Sequence, residues 1–204
     1  PTFGIDEYES FSPASLLKLP LALVFFSATA DQPEVLEHRV FITGTMPDLV
    51  QAFPPKKSAV IGGTYSIEEL LELMIVYSDN VAYQTLELFI AATPERYLIR
   101  EQVFQEVGMI DPQSRVEDAI TVRGYSSVFR ILYNVSYLTP DHSEKLLSWL
   151  VASDFPYGIE SGVPPGTAVA NKFGERTVSD GSRQLHDCGI VYFPGNPYLL
   201  CVMS

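Results

Sequence analysis

Residues 12–26 read SPASLLKLPLALVFF, with a serine and a lysine, Ser15 and Lys18, three positions apart and a hydrophobic run beginning at once. On a helix that spacing puts both side chains on one face. Ser-x-x-Lys is a short pattern that a serine-rich chain shows about once by accident, so its meaning depends on what accompanies it. The run predicts a helix from near Ser15 to about Ala30. It is apolar nearly all round at Leu16, Leu17, Leu19, Leu21 and Leu23, and so buried on most sides. Pro20 is expected to kink its first turns.

The chain of 204 residues is read as one domain, with 1–32 as a strand and the Ser15 helix, 33–155 as a helical lobe and 156–204 as sheet strands. With 47% of residues hydrophobic and 12% aromatic it can bury a real core. A net charge of −12 argues against nucleic acid and anionic membrane surfaces as partners, because both need clustered Lys and Arg. An anionic substrate would have to meet a local positive site. No apolar run approaches the roughly 18–20 residues of a membrane span. The start at Pro1 reads as the inside of a domain, so membrane association is left open.

His38, His142 and His186 do not stand at metal-ligand spacing, and neither a metal nor another cofactor is expected. Cys188 and Cys201 flank a hairpin turn and could be cross-strand neighbours. Buried free thiols are the favoured reading over a disulfide.

YESFSPAS (8–15) reads as a short strand running into a turn, and HRVFIT (38–43) as another strand. Ser66 followed by Glu69 is a capping box. Further helices are expected at about 80–92, 95–107, 121–135 and 140–152. HDCGIVYF and PYLLCVMS, separated by PGN, are a hairpin. The predicted fold class is therefore α+β, an α/β sandwich with one antiparallel sheet, built from strands at both chain ends and interrupted by a mostly helical lobe. Both faces of the last strands are largely apolar and need cover. Nothing in the chain obviously covers the second face, which points either to flanking terminal segments not in this sequence or to a partner segment from another chain.

Two further stretches bear on Ser15. YSDN (77–80) joins two helices, and its ordinary role is an N-cap by Ser78 or Asp79. NKFGE (171–175) lies on the first C-terminal strand, and Lys172 alone would read as a solvent-facing edge lysine.

Ser-x-x-Lys, Ser-x-Asn and Lys-x-Gly in this order resemble the serine β-lactamases and penicillin-binding proteins, closest to class A in layout. The resemblance covers essentially the whole chain. It implies Ser15 as nucleophile and Lys18 as its base, with a pKa lowered by desolvation and by a second cation, Lys172. Ser78 would pass a proton to the leaving nitrogen, and Asn80 would hold the substrate amide and orient Lys18. The backbone N–H groups of Ser15 and Glu175 would form the oxyanion hole, beside Gly174. Asp79 would be structural.

Three departures stand out. The family's Lys-Thr/Ser-Gly is Lys-Phe-Gly here, so a hydroxyl that helps bind a substrate carboxylate is replaced by Phe173. Either the ring lines an altered pocket, or carboxylate binding passes to Lys172 and an arginine such as Arg176 or Arg183. Second, the class A glutamate that activates the deacylating water sits on a long loop. The corresponding span here, IDPQSRVED (110–118), is short, and its one glutamate, Glu117, is better placed to support the next helix. Third, the terminal helices usual in class A are not seen.

The function the resemblance implies is an acyl-enzyme-forming serine hydrolase or acyltransferase acting on a small-molecule or peptide substrate. The preferred form is a D-alanyl peptidase of cell-wall peptides outside the cytoplasm. The alternatives are a β-lactamase and a binding or sensor module that acylates once or not at all.

Overall fold

The computed structural model describes residues 2–44, 51–109, 119–177 and 181–204. Residues 110–118, and with them Glu117, lie outside the described residues.

After a two-residue strand β1 (Ser10–Phe11), a 3-10 turn over Ala14–Leu17 leads into helix α1 (Lys18–Ala28). The element expected as one helix from Ser15 is thus tighter in its first turn, and α geometry begins at Lys18, two residues before Pro20. Every residue from Lys18 to Phe26 is buried, as the all-round apolar composition requires.

Strands β2 (Arg39–Phe41) and β3 (Thr64–Ser66) form a small antiparallel pair. Helix α2 (Ile67–Val76) follows, capped as expected: the Ser66 hydroxyl accepts from the Glu69 N–H at 3.1 Å, and the Glu69 carboxylate accepts from the Ser66 N–H at 2.6 Å. Helices α3 (Asn80–Ala91) and α4 (Pro94–Glu106), a short strand β4 (Ile120–Thr121), then α5 (Val122–Tyr133) and α6 (Pro140–Val151) complete the helical lobe. Each starts at a side-chain cap: Asp79 for α3, Thr93 for α4, Thr121 for α5 and Thr139 for α6.

The chain closes with the antiparallel sheet β5 (Val169–Thr177), β6 (Arg183–Val191) and β7 (Tyr198–Val202), in that spatial order. The mixed α+β class is as expected, but the first strand does not join this sheet. β1 pairs with β4, Ser10 opposite Thr121. The contact is extended by the Arg123 N–H donating to the Glu7 carbonyl and by an Arg123–Glu7 ion pair, so the segment ahead of Ser15 is fastened to the start of α5.

The inner face of the sheet, at Ala170, Cys188 and Ile190, shares one hydrophobic core with α1, α2, α3, α5 and α6. The outer face is better covered than the sequence implied. Ile159 and Val163 pack on Val169 and Val191, and Phe155 stacks on Phe173. Leu185, Tyr198, Leu200 and Val202 stay exposed. The free-thiol reading is corrected: the β6–β7 register sets Cys188 directly opposite Cys201, and the two are joined as a disulfide.

Replacing Ser66 with Ala removes one arm of the α2 capping box and is expected to lower stability by about 1 kcal/mol. Urea unfolding should show a lower midpoint with an unchanged slope.

Candidate active site

The site forms where the Ser15 turn, the loop between α2 and α3, and β5 meet. Ala14 holds a left-handed backbone, φ +48°, and the Leu16 N–H closes the turn on the Pro13 carbonyl at 3.0 Å. The turn is pinned from three directions. The buried Tyr125 hydroxyl on α5 donates to the Leu16 carbonyl at 2.9 Å. His186 on β6 lies 2.9 Å from the Ser12 carbonyl through Nε2, and its Nδ1 accepts the Ser204 N–H. Those partners assign the ring proton to Nε2, and burial lowers the imidazole's pKa, keeping it neutral. Arg176 donates to the Ser12 hydroxyl at 2.7 Å.

Lys18 is 1% exposed, and its Nζ faces four oxygens: Ser78 O at 2.6 Å, Asn80 Oδ1 at 2.7 Å, Ser15 Oγ at 3.0 Å and Ser78 Oγ at 3.1 Å. The two shortest contacts are to a carbonyl and an amide oxygen, which can only accept. They occupy two N–H groups. A neutral amine then directs its lone pair at the hydroxyls, the only partners able to give it a proton.

Ser78 is fully buried and also left-handed, φ +54°, a conformation that costs a non-glycine residue about 1–3 kcal/mol. Asp79, not Ser78, is the helix cap. Its carboxylate accepts from the N–H groups of Ala59, Val81 and Ala82 and from the Ser58 hydroxyl, between 2.6 and 3.2 Å. With capping assigned to Asp79, the Ser78 hydroxyl turns back between the two lysines.

Lys172 does not face solvent as an edge lysine would. It is 1% exposed, with Nζ 3.0 Å from Ser78 Oγ and 3.1 Å from the Phe173 carbonyl. Gly174 lets β5 come this close to the Ser15 turn, since a Cβ there would lie 2.9 Å from the Pro13 carbonyl and 3.1 Å from the Leu16 nitrogen. The backbone at 174–175 therefore runs beside Ser15.

The two readings of Phe173 resolve into a third arrangement. The ring is buried and stacked on Phe155 at 3.9 Å, with Phe53 edge-on, while Lys172 Nζ lies 4.4 Å from its centroid. Arg176 is engaged with Ser12, and Arg183 sits exposed opposite Thr177 at the far end of the β5–β6 hairpin. Glu175 accepts the Phe53 N–H at 2.9 Å.

The sequence reading missed Gln51, whose amide donates to the Ser78 carbonyl at 3.1 Å, and the anchors Tyr125 and His186. Gln51 stands in an irregular stretch without a motif, and a buried tyrosine on a helix carries no mark of its partner.

Burial is the main reason the Lys18 pKa falls well below its ordinary value, and the Lys172 charge pushes it the same way. Burial also brings Lys172 down to about 7, against a smaller upward pull from Asp187. The arrangement sets two amines of lowered basicity against one shared hydroxyl, with a second hydroxyl, that of Ser15, beside Lys18, a geometry through which a proton can pass. Among the described residues no His, Cys, Asp or Glu cluster is suited to hold a metal ion.

The family model of the beta-lactamase enzyme family matches residues 1–204, and the chain belongs to that family, a serine hydrolase of its superfamily. None of the curated proteins matches the sequence. Among solved structures, the fold is similar to a PBP-A mutant in an acyl-enzyme complex with penicillin G, at 21% identity and TM-score 0.74, covering 98% of this chain and 75% of that one. A beta-lactamase from Xanthomonas campestris pv. campestris matches at 21% identity and TM-score 0.76, over 98% and 77% of the two chains. The extended-spectrum beta-lactamase TLA-1 matches at 17% identity and TM-score 0.81, over 99% and 78%.

Replacing Lys172 with Met removes a charge that holds the Lys18 pKa down. The ascending limb of the pH–rate profile for acylation should therefore move to higher pH, by about one unit. The same variant should alter stability with a definite sign. Folded Lys172 binds fewer protons than the unfolded chain between about 7 and 10.5, so the cost of burying it is full below 7 and shrinks as pH rises through that window. Denaturant unfolding should show the largest gain from Lys172→Met below pH 7 and a smaller one towards 10.

Proposed function

We infer that this chain is an acyl-enzyme-forming serine peptidase of the penicillin-binding type, acting on D-alanyl peptides of cell-wall material outside the cytoplasm. The observation that carries the reading is the Lys18 contact set, in which two pure acceptors take N–H groups and leave the amine's lone pair to the Ser15 and Ser78 hydroxyls, at 3.0 and 3.1 Å.

In the proposed sequence the Ser15 proton passes to Lys18 Nζ as Oγ bonds to the substrate carbonyl carbon. The oxyanion forms towards the backbone N–H groups of Ser15 and Glu175. The C–N bond breaks as the Ser78 hydroxyl gives its proton to the leaving nitrogen. Lys18, 3.1 Å away, returns its extra proton to Ser78 Oγ, with Lys172 3.0 Å from the same oxygen. Asn80 fixes Lys18 through Oδ1, which leaves its amide N–H groups for the substrate. Water or an amine then accepts the acyl group from Ser15.

Slow deacylation separates a peptidase of this type from a β-lactamase, and two observations favour it. The 110–118 span is short, with Glu117 as its one glutamate. Among the described residues, the carboxylates whose charge reaches Lys18 are Asp79, tied up as a cap, and Glu175, bonded to Phe53. The Cys188–Cys201 disulfide favours an oxidising compartment.

Intact mass after incubation with penicillin G tests the reading, with Ser15→Ala as control. The expected result is an adduct of one penicillin on the native chain that persists for many minutes, and none on the variant. Unmodified protein with hydrolysed drug would assign the chain to β-lactamase activity. Neither adduct nor hydrolysis would favour a binding module.

A further inference from the structure

Asp187 on β6 is a buried acid that the proposed proton transfers do not use. It is 5% exposed, stands opposite Phe173 in the β5–β6 register, and precedes Cys188, the residue opposite Lys172. The partners of its carboxylate all donate. The Ile159 N–H lies 2.8 Å from Oδ2, the Asn171 amide lies 2.9 and 3.2 Å from the two oxygens, and the Cys188 N–H also donates. A Cβ on Gly158, left-handed at φ +60°, would run into Oδ2, so the loop ahead of Ile159 is shaped around that oxygen. Such a cradle suits an ionised carboxylate, since a carboxylic acid needs an acceptor for its proton. None of the ion pairs among the described residues includes Asp187. A carboxylate buried without a bonded cation is costly, and an asparagine could satisfy the Ile159 N–H without that cost.

The cation in its field is Lys172. Burial pushes the Asp187 pKa up, and the N–H donors and the Lys172 charge pull it back. Burial lowers the Lys172 pKa, and among the described residues Asp187 is the charge that opposes this. Tyr125 on α5 also meets the Asp187 charge, which adds to burial in keeping its hydroxyl protonated. Lys18 has other anions, Asp79 and Glu175, outweighed by burial and by the Lys172 charge. Asp187 thus acts on one lysine of the pair and not on the other.

We propose that Asp187 is a positioning residue of the site, the buried counter-charge that settles the lysine pair's remaining proton on Lys172 and so leaves Lys18 free to take the Ser15 proton. This rests on the reading of Ser15 as nucleophile and Lys18 as its base. Two amines that share the Ser78 hydroxyl compete for one proton, and an anion coupled to Lys172 alone decides where it stays.

NMR titration of the isotopically labelled chain follows the Lys172 Cε and the Asp187 carboxyl carbon. In the native chain the Asp187 signal should inflect near 7, where Lys172 loses its charge. A flat Asp187 signal across that pH overturns the proposal without any variant. Asp187→Asn should lower the Lys172 pKa by about one unit, the scale of one opposite charge removed. It should also move the ascending limb of the pH–rate profile for Ser15 acylation by penicillin G, read by intact mass, to higher pH. Combining Asn171→Asp with Asp187→Asn keeps one carboxylate and one amide in the pair, and should return both readings towards native values. A purely structural role would lower the unfolding midpoint of Asp187→Asn and leave the Lys172 pKa in place, which overturns the proposal. A shifted Lys172 with Ser15 unmodified at every pH upholds the counter-charge and overturns the acyl-enzyme reading.

Discussion

Lys18 and Lys172 approach the Ser78 hydroxyl to 3.1 and 3.0 Å, and both ammonium groups are almost fully removed from water. Two like charges in that space repel, and each has lost most of its hydration, so the pair is stable only with less than its full charge. The rest of the site follows from this constraint. Hydrogen-bond acceptors surround Lys18, and the left-handed turn at Ser78 aims a hydroxyl where either amine can reach it. Asp79 caps α3 so that Ser78 need not. Gly174 lets β5 bring Lys172 within range. What would be a defect in an ordinary core is here a source of basic nitrogen next to Ser15.

The parts legible in the sequence were those with local causes. The capping box at Ser66, the helix starts and the C-terminal hairpin each depend on residues within a few positions of one another. The Ser15–Lys18 relation was visible because a helical turn sets it. The Lys172 environment was not, since alternation on a strand says which face a side chain takes but not what lies against that face. The association of Lys172 with Ser78 came only from the order of motifs and the resemblance it carries. Three features depend on long-range packing: the stacking of Phe155 on Phe173, the use of Gln51 against the Ser78 carbonyl, and the pairing of β1 with β4. None leaves a periodic trace. Cys188 and Cys201 were recognisable as neighbours, but register alone decided that they stand directly opposite.

Phe173 links the structural and functional departures. Placed after Lys172 on β5, it exchanges a small polar contact for a ring buried in an aromatic cluster. That cluster also seals the outer face of the sheet near the site. The same substitution that builds the core there removes a donor from the substrate side and lays a π-face against the Lys172 ammonium. Packing near the site is thus set by one side chain, so changes at this position should move it.

The central claim is that the site holds two lysines with strongly depressed basicity, and NMR titration of the Nζ and Cε signals of isotopically labelled lysine tests it without any substrate. The account predicts that Lys172 titrates near 7 and Lys18 well below its ordinary value. Lys18 and Lys172 both titrating at the ordinary value of a solvent-exposed lysine side chain, about 10.4, would contradict it, because a fully protonated Lys18 could not take the Ser15 proton.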